Sequence, residues 1–319
     1  MVKRISMFLF VLAMAFAMVA PAAAAGDGPV DINPNSPSSG GMGGVVPPYG
    51  QARPTGFIAN LTYHGGPVMH TNKTYTIFWV PAGYSMATSY RSGMNTFLKN
   101  VAADNGLTSN VYFSDTQYYG PTAANILYQS GFVASYNDTN PYPASGCALA
   151  SGFNKCLSDG QLRKEISRVI SLNKWRPTPA TMFFIFTPGK VRSCFGSSCS
   201  FTSFCAYHSY FGSVIYANQP FANYKPNSCG IKYATLTPPN GAAIDSTINV
   251  LSHEHNEAIT DPKLDAWWDG TTGNENGDNC AWDFGTLTAG SYNQVINGHN
   301  YVVQQEWSNA SSGCVLSGW

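Results

Sequence analysis

The chain has 319 residues, and its 17 Lys and Arg are matched by 17 Asp and Glu, so the formal net charge is zero. Only 11% of residues carry a charge and no basic stripe is present, which excludes the electrostatic footprint of a nucleic-acid binder. No apolar run reaches the ~20 residues a membrane helix needs, which excludes a spanning segment in the mature protein.

Taken in chain order, residues 1–25 read as a signal peptide. Lys3 and Arg4 precede an uncharged apolar run from Met7 to Val19, and Pro21 leads into the small residues Ala22 to Ala25 that suit cleavage. The protein is therefore expected outside the cell. Residues 26–55 are crowded with Gly, Pro, Ser and Asn and lack apolar periodicity, so they read as a linker or pro-segment. The glycine tract Gly40-Gly41-Met42-Gly43-Gly44 falls there, not between a strand and a helix where a phosphate loop belongs. Residues 56–319 remain as one folded domain.

Within that domain, Tyr75 to Val80 is a β-branched and aromatic run stopped by Pro81, which predicts a buried strand. Ser89 to Asp104 carries Tyr90, Met94, Phe97, Leu98 and Val101 at helical spacing. Asn110 to Phe113 predicts a short strand. A second helix starts at a Ser158 or Asp159 cap and shows the stripe Leu162, Ile166, Val169, Ile170. Thr181 to Phe186 is another buried strand, followed by a loop and a strand from Ser213 to Tyr216. A third helix spans about Ile244 to Ile259, Asp261 to Gly298 is mainly loop, and Tyr301 to Trp307 closes as a strand. Alternating strands and helices predict an α/β or α+β fold, a mixed sheet packed with helices.

Eight cysteines, an even number, agree with an oxidising compartment and predict a disulfide-stapled domain. Proximity in the chain favours Cys147–Cys156, Cys194–Cys199, Cys205–Cys229 and Cys280–Cys314. Asn60, Asn72, Asn137 and Asn309 open N-x-Ser/Thr sequons, which would be glycosylated in a eukaryotic host.

The chemistry-bearing residues lie on the third helix, in Ser252-His253-Glu254-His255-Asn256-Glu257. At about 100° per residue, His253 and Glu257 project together one turn apart. Glu254 lies on the adjacent flank, and Ile248, Leu251 and Ile259 point to the core, which leaves the imidazole and carboxylates on an exposed or cleft face. The pattern resembles the H-E-x-x-H helix of zinc peptidases, with Glu in the second ligand position. His253 and Glu257 are thus expected to bind zinc, and Glu254 to act as the base. A third ligand is expected from Asp278 or Glu275 in the loop ending at Cys280, with His208 and His299 as more distant candidates. His255 falls on the core side and is expected to be a hydrogen-bonded core residue. Calcium is the alternative ion, since Asp265, Asp269, Glu275 and Asp278 are hard oxygen donors. No G-x-S-x-G and no unpaired cysteine competes as a nucleophile.

A series of short motifs then resembles a known family. Tyr63-His64-Gly65-Gly66-Pro67-Val68, Phe78-Trp79, Cys205-Ala206-Tyr207-His208 and His253-Glu254-x-x-Glu257-Ala258 occur in order. Thr260-Asp261-Pro262, Ala266-Trp267-Trp268, Glu275-x-Gly277-Asp278-x-Cys280 and Tyr301-Val302-Val303-Gln304 follow. Together they are similar to the EXORDIUM-like, or phosphate-induced protein, family of secreted proteins, from about Leu61 to Cys314. The resemblance implies an extracellular protein linked in plants to growth, and it makes Glu at the fifth place of the helix motif a family pattern. Two functions are expected to compete. One is a secreted zinc-dependent hydrolase on a zincin-like domain, acting on extracellular protein. The other is a non-catalytic signalling or cell-wall-binding protein on a degenerate metallopeptidase scaffold.

Overall fold

The apolar runs at Tyr75 and Thr181 form adjacent interior strands of a six-stranded sheet. The computed structural model describes residues 30–51 and 59–319. The expected signal peptide lies outside the described residues. The sheet strands are β1 (Gly43–Val46), β2 (Asn72–Trp79), β3 (Ser130–Asp138), β4 (Thr181–Thr187), β5 (Ala206–Phe211) and β6 (Val214–Pro220), ordered β1-β5-β6-β4-β2-β3. Strands β6, β4, β2 and β3 are parallel, and β5 and β1 continue the sheet antiparallel. Parallel central strands are covered on both faces, which is why β4 and β6 read as unbroken buried runs.

Helix α1 (Thr88–Ala103) and helix α3 (Ala242–Thr260) pack on one face, where Phe97, Ile248 and Leu251 meet Phe78, Phe184 and Ala217. Helix α2 (Asp159–Asn173) covers the other face, where Leu162, Ile166 and Val169 meet Ile77, Phe183 and Tyr216. A capping box between Ser158 and Gln161 starts α2, so the capping reading of that serine holds. The architecture is a mixed sheet sandwiched by helices and stapled by four disulfides, in all four expected pairings. Among the described residues no helix is long and apolar enough to cross a membrane.

Several local expectations are corrected. Asn110 to Phe113 does not form a strand. Its neighbourhood is a 3-10 helix, Val111–Gln117, because the Asn110 side chain accepts the Tyr112 N–H at 3.1 Å. Ser114, Thr116 and Gln117 then bond carbonyls three residues back, which favours the tight turn over a ladder. The loop expected before Ser213 contains β5. Tyr301 to Trp307 is not one strand, since the Val303 and Gln304 amides donate to the side chains of Asn293 and Asn249 rather than to a neighbouring strand. Asn72 is 3% exposed and its amide donates to Ser130, so that sequon is inaccessible in the folded chain.

The stretch 26–55 is also corrected where it is described. Residues 30–51 lie along the domain, with β1 paired to β5 and Val46 fully buried. Composition denies this segment a core of its own, but it borrows one: Val46 packs with Phe201, Cys205 and Val250. Finally, α3 has no exposed face. Every residue from Asp245 to Thr260 is buried, because β1 and the Asp261–Cys314 region cover the side turned away from the sheet.

Candidate metal centre

The one-turn spacing on α3 does bring His253 and Glu257 together, with Nε2 and Oε1 3.0 Å apart. The loop beyond α3 turns back so that Asp278 Oδ1 lies 3.6 Å from the same Nε2. This return is fixed by the Asp278 N–H, which donates to Glu257 Oε1 at 2.9 Å, and by the Cys280–Cys314 bridge two residues on. Gly277 permits the close approach, since a Cβ there would stand 2.8 Å from His253 Nδ1.

Strand β5 adds His208. Its Nδ1 lies 3.4 Å from Glu254 Oε2 and 3.8 Å from Glu257 Oε2, and its Nε2 lies 3.8 Å from Glu275 Oε1. Two overlapping groups result, His253–Glu257–Asp278 and His208–Glu254–Glu257, with Glu257 common to both. Of the two expected third partners, Asp278 joins the His253 group, while Glu275 faces His208 and accepts the Gly44 N–H at 2.6 Å. His208, read as a distant candidate, is inside the centre; His299 is exposed in a hairpin between Gln294 and Tyr301. His255 is a core residue, as its helical position implies, bonded to Tyr112 and Asn72.

Burial dominates the electrostatics. It raises the carboxyls of Glu254 and Glu275 well above the ordinary range, and lifts Glu257 to about 7, where the Asp278 charge adds to the effect. Burial also pulls His208 down to about 4. For His253 burial opposes the charged form, yet Glu257 and Asp278 hold its imidazolium well above the usual value. Four acidic groups thus share one low-dielectric space with two imidazoles.

The donors fit a cation. Six fully buried or nearly buried atoms lack hydrogen-bond partners: His208 Nδ1, His253 Nε2, both Glu254 oxygens, Glu257 Oε2 and Glu275 Oε1. Unsatisfied buried polar atoms are rare, and most of these belong to the two overlapping groups that share Glu257, an arrangement that an ion would resolve. Of the four oxygen donors expected for calcium, Asp265 is exposed and Asp269 accepts the Ala59 and Thr271 N–H groups, so neither joins Glu275 and Asp278.

Gln304 positions the first imidazole. Its side-chain nitrogen donates to Gly277 O at 2.8 Å and lies 2.7 Å from His253 Nδ1, which holds the ring with Nε2 toward Glu257. A metal held through Nε2 would leave Nδ1 facing Gln304, so this residue would set the orientation of the ring. Gln304→Leu, which removes that orienting contact, is therefore expected to weaken zinc binding by about 10- to 100-fold in a chelator competition. Sequence reading placed Gln304 in a motif but gave it no role, because its contact with His253 is visible only after folding. His208 carried a usable signal, an imidazole inside an apolar strand.

A cleft of about 290 Å³ opens beside the cluster, bordered by Gly43, Gly44, Trp268, Glu275 and Asp278. A larger cavity, about 620 Å³, lies elsewhere, between the first turns of α1 and α3. No Asp, Glu, His or Cys lines it, whereas Glu275 and Asp278 border the smaller cleft.

Compared with known proteins, the chain is 25% identical over 298 residues to Protein EXORDIUM-like 3 of Arabidopsis thaliana, covering 81% of this chain and 83% of that one. The chain is a relative of the EXORDIUM-like proteins. No family model and no solved structure matches it. This EXORDIUM-like relationship and the four disulfides are consistent with an extracellular protein. The zincin likeness rests on the helix motif alone.

Proposed function

We propose that this EXORDIUM-like chain is a secreted, metal-dependent hydrolase of peptide bonds. The observation that carries the reading is the pair of overlapping imidazole–carboxylate groups that share Glu257, with buried donor atoms left without hydrogen bonds. A mixed set of imidazole and carboxylate donors favours zinc over calcium. His253, Glu257 and Asp278 would hold the ion, which when bound supplies Lewis acidity to a scissile carbonyl. Glu254, whose two oxygens are free of hydrogen bonds, is the general base that takes a proton from the attacking water. Burial raises its pKa above the ordinary carboxylate range, the direction that makes it a stronger proton acceptor. His208, held neutral by burial, lies against Glu254 and steadies its carboxyl.

Metal analysis tests the assignment directly. After equilibration with zinc and dialysis, the full chain is expected to retain one zinc, and His253→Ala and Glu257→Ala to retain none. Zinc at ~100 times its Kd should add about 2.7 kcal/mol of stability, a Tm rise of roughly 5–10 °C. Absence of stoichiometric zinc and of any Tm shift would sink the reading.

One observation favours the alternative, a non-catalytic signalling or wall-binding protein. Strand β1 covers the cluster, and His253, Glu254 and Glu257 are fully buried beneath it. A broad peptide library and a polysaccharide pull-down separate the two readings. Retention on polysaccharide without hydrolysis, unaffected by Glu254→Gln, is the outcome that belongs to the binding protein.

A further inference from the structure

The covering strand itself carries an inference, which rests on the hydrolase reading. We propose that residues 38–48 are a removable strap occupying the groove in which an extended peptide substrate binds, so that the chain as folded is self-inhibited.

The strap lies as a peptide would. It runs antiparallel to β5, pairing Gly43 with His208, Val45 with Tyr207 and Val46 with Ala206. Further main-chain bonds join Gly40 N to Tyr210 O, and Cys205 N to Val46 O. Without it, β5 becomes the edge of the sheet, and an open edge beside a reactive cluster recognises extended chains through the backbone. His208 belongs to that same strand, so a paired segment is carried directly over the carboxylates.

The contact with the cluster is made by backbone, not side chains. Gly44 donates its N–H to Glu275 Oε2 at 2.6 Å, and the Val46 main chain comes close to Glu254 without a well-formed hydrogen bond. A Cβ on Gly44 would stand 2.0 Å from Glu257 Oε2 and 2.2 Å from His208 Nδ1, and φ there is +42°. Only glycine fits that position. The groove therefore selects a peptide that pairs with β5 on either side of a glycine bulge facing Glu257, and Gly43-Gly44 satisfies this within the chain itself.

The strap is held without a covalent staple. All eight cysteines lie at or beyond Cys147, and the four disulfides use every one of them. Its anchors are non-covalent: Val46 in a small apolar cluster, Pro47 O accepting the Trp282 indole N–H, and Tyr49 stacked on Tyr233. A single cut between the strap and the domain would leave it free to dissociate.

The test uses the full chain. Native-state hydrogen exchange should show the amides of Gly43–Val46 opening well before those of β2 and β4. A protease site introduced within residues 52–58 is then cut after folding, and the fragment should leave on dilution. A synthetic peptide of residues 38–48 is expected to rebind the cut, zinc-loaded protein, and the same peptide carrying Gly44→Val to bind at least about tenfold more weakly. Hydrolysis of glycine-containing peptides should rise on release and fall when the 38–48 peptide returns. If the strap amides exchange only with β2 and β4, or the fragment stays bound through dilution, the proposal is overturned. Stoichiometric zinc without rebinding of the peptide also overturns it while sparing the hydrolase reading. Rebinding of the peptide without zinc or hydrolysis overturns the hydrolase reading and with it the inhibitory role, leaving only a releasable strand.

Discussion

Glu254→Gln is expected to reduce peptide hydrolysis by about 10²- to 10⁴-fold, the usual contribution of a general base, while zinc remains bound. The separation arises because Glu254 is not in the His253–Glu257–Asp278 group, yet sits one residue from His253 on the same helix. The change is close to isosteric. The amide matches the carboxyl in size and polarity, so the packing around this fully buried side chain and the Tm are expected to stay nearly unchanged. Steady-state rates on a peptide substrate, zinc content and thermal melts form the required set. A variant that keeps full activity removes Glu254 from the chemistry, and one that loses zinc shows that it is a ligand instead.

Replacing Cys280 and Cys314 with serine is expected to have the second-largest effect, through the fold. The bridge closes a separation of 34 residues, and losing it should cost about 3–4 kcal/mol, a Tm fall on the order of 10 °C. Zinc affinity should fall with it. Asp278 lies two residues before Cys280, and its N–H bond to Glu257 depends on the loop returning to α3. Removing Cys147–Cys156 is the control. That pair packs against Cys194 and Cys199, away from the donor groups around Glu257, and its loss should lower Tm without changing zinc affinity. Equal loss of affinity in both variants would mean that Cys280–Cys314 has no special part in placing Asp278.

The parts of the site that local rules govern could be read before folding. His253 and Glu257 meet because the α-helix repeats every 3.6 residues, and the Ser158 cap and Leu162–Ile170 stripe follow from the same geometry. The shortest cysteine pairings were accessible because near neighbours in the chain are near in space. Local rules failed where a residue was satisfied by a distant one. Asn110 to Phe113 looked extended until side chains bonded the backbone into a 3-10 turn. Tyr301 to Trp307 looked like one strand until Asn249 and Asn293 took its amides.

From the sequence alone came an oxidising-compartment protein, a sheet covered by helices, and one helix face carrying an imidazole beside carboxylates. Tertiary structure alone decided what surrounds that face. His208 arrives from β5, Asp278 and Glu275 from a disulfide-held loop, Gln304 from the far C-terminal region, and Gly44 from a segment whose composition predicted no structure. These partners are 21 to 231 positions away from the residues they touch. Their positions depend on strand order and on which amides find which carbonyls, and neither leaves a periodic mark in the chain. Burial of the helix motif had the same origin. Its polar residues signalled an exposed face, but a strap of small residues could approach closely enough to close over it, because glycine leaves the space that a side chain would fill.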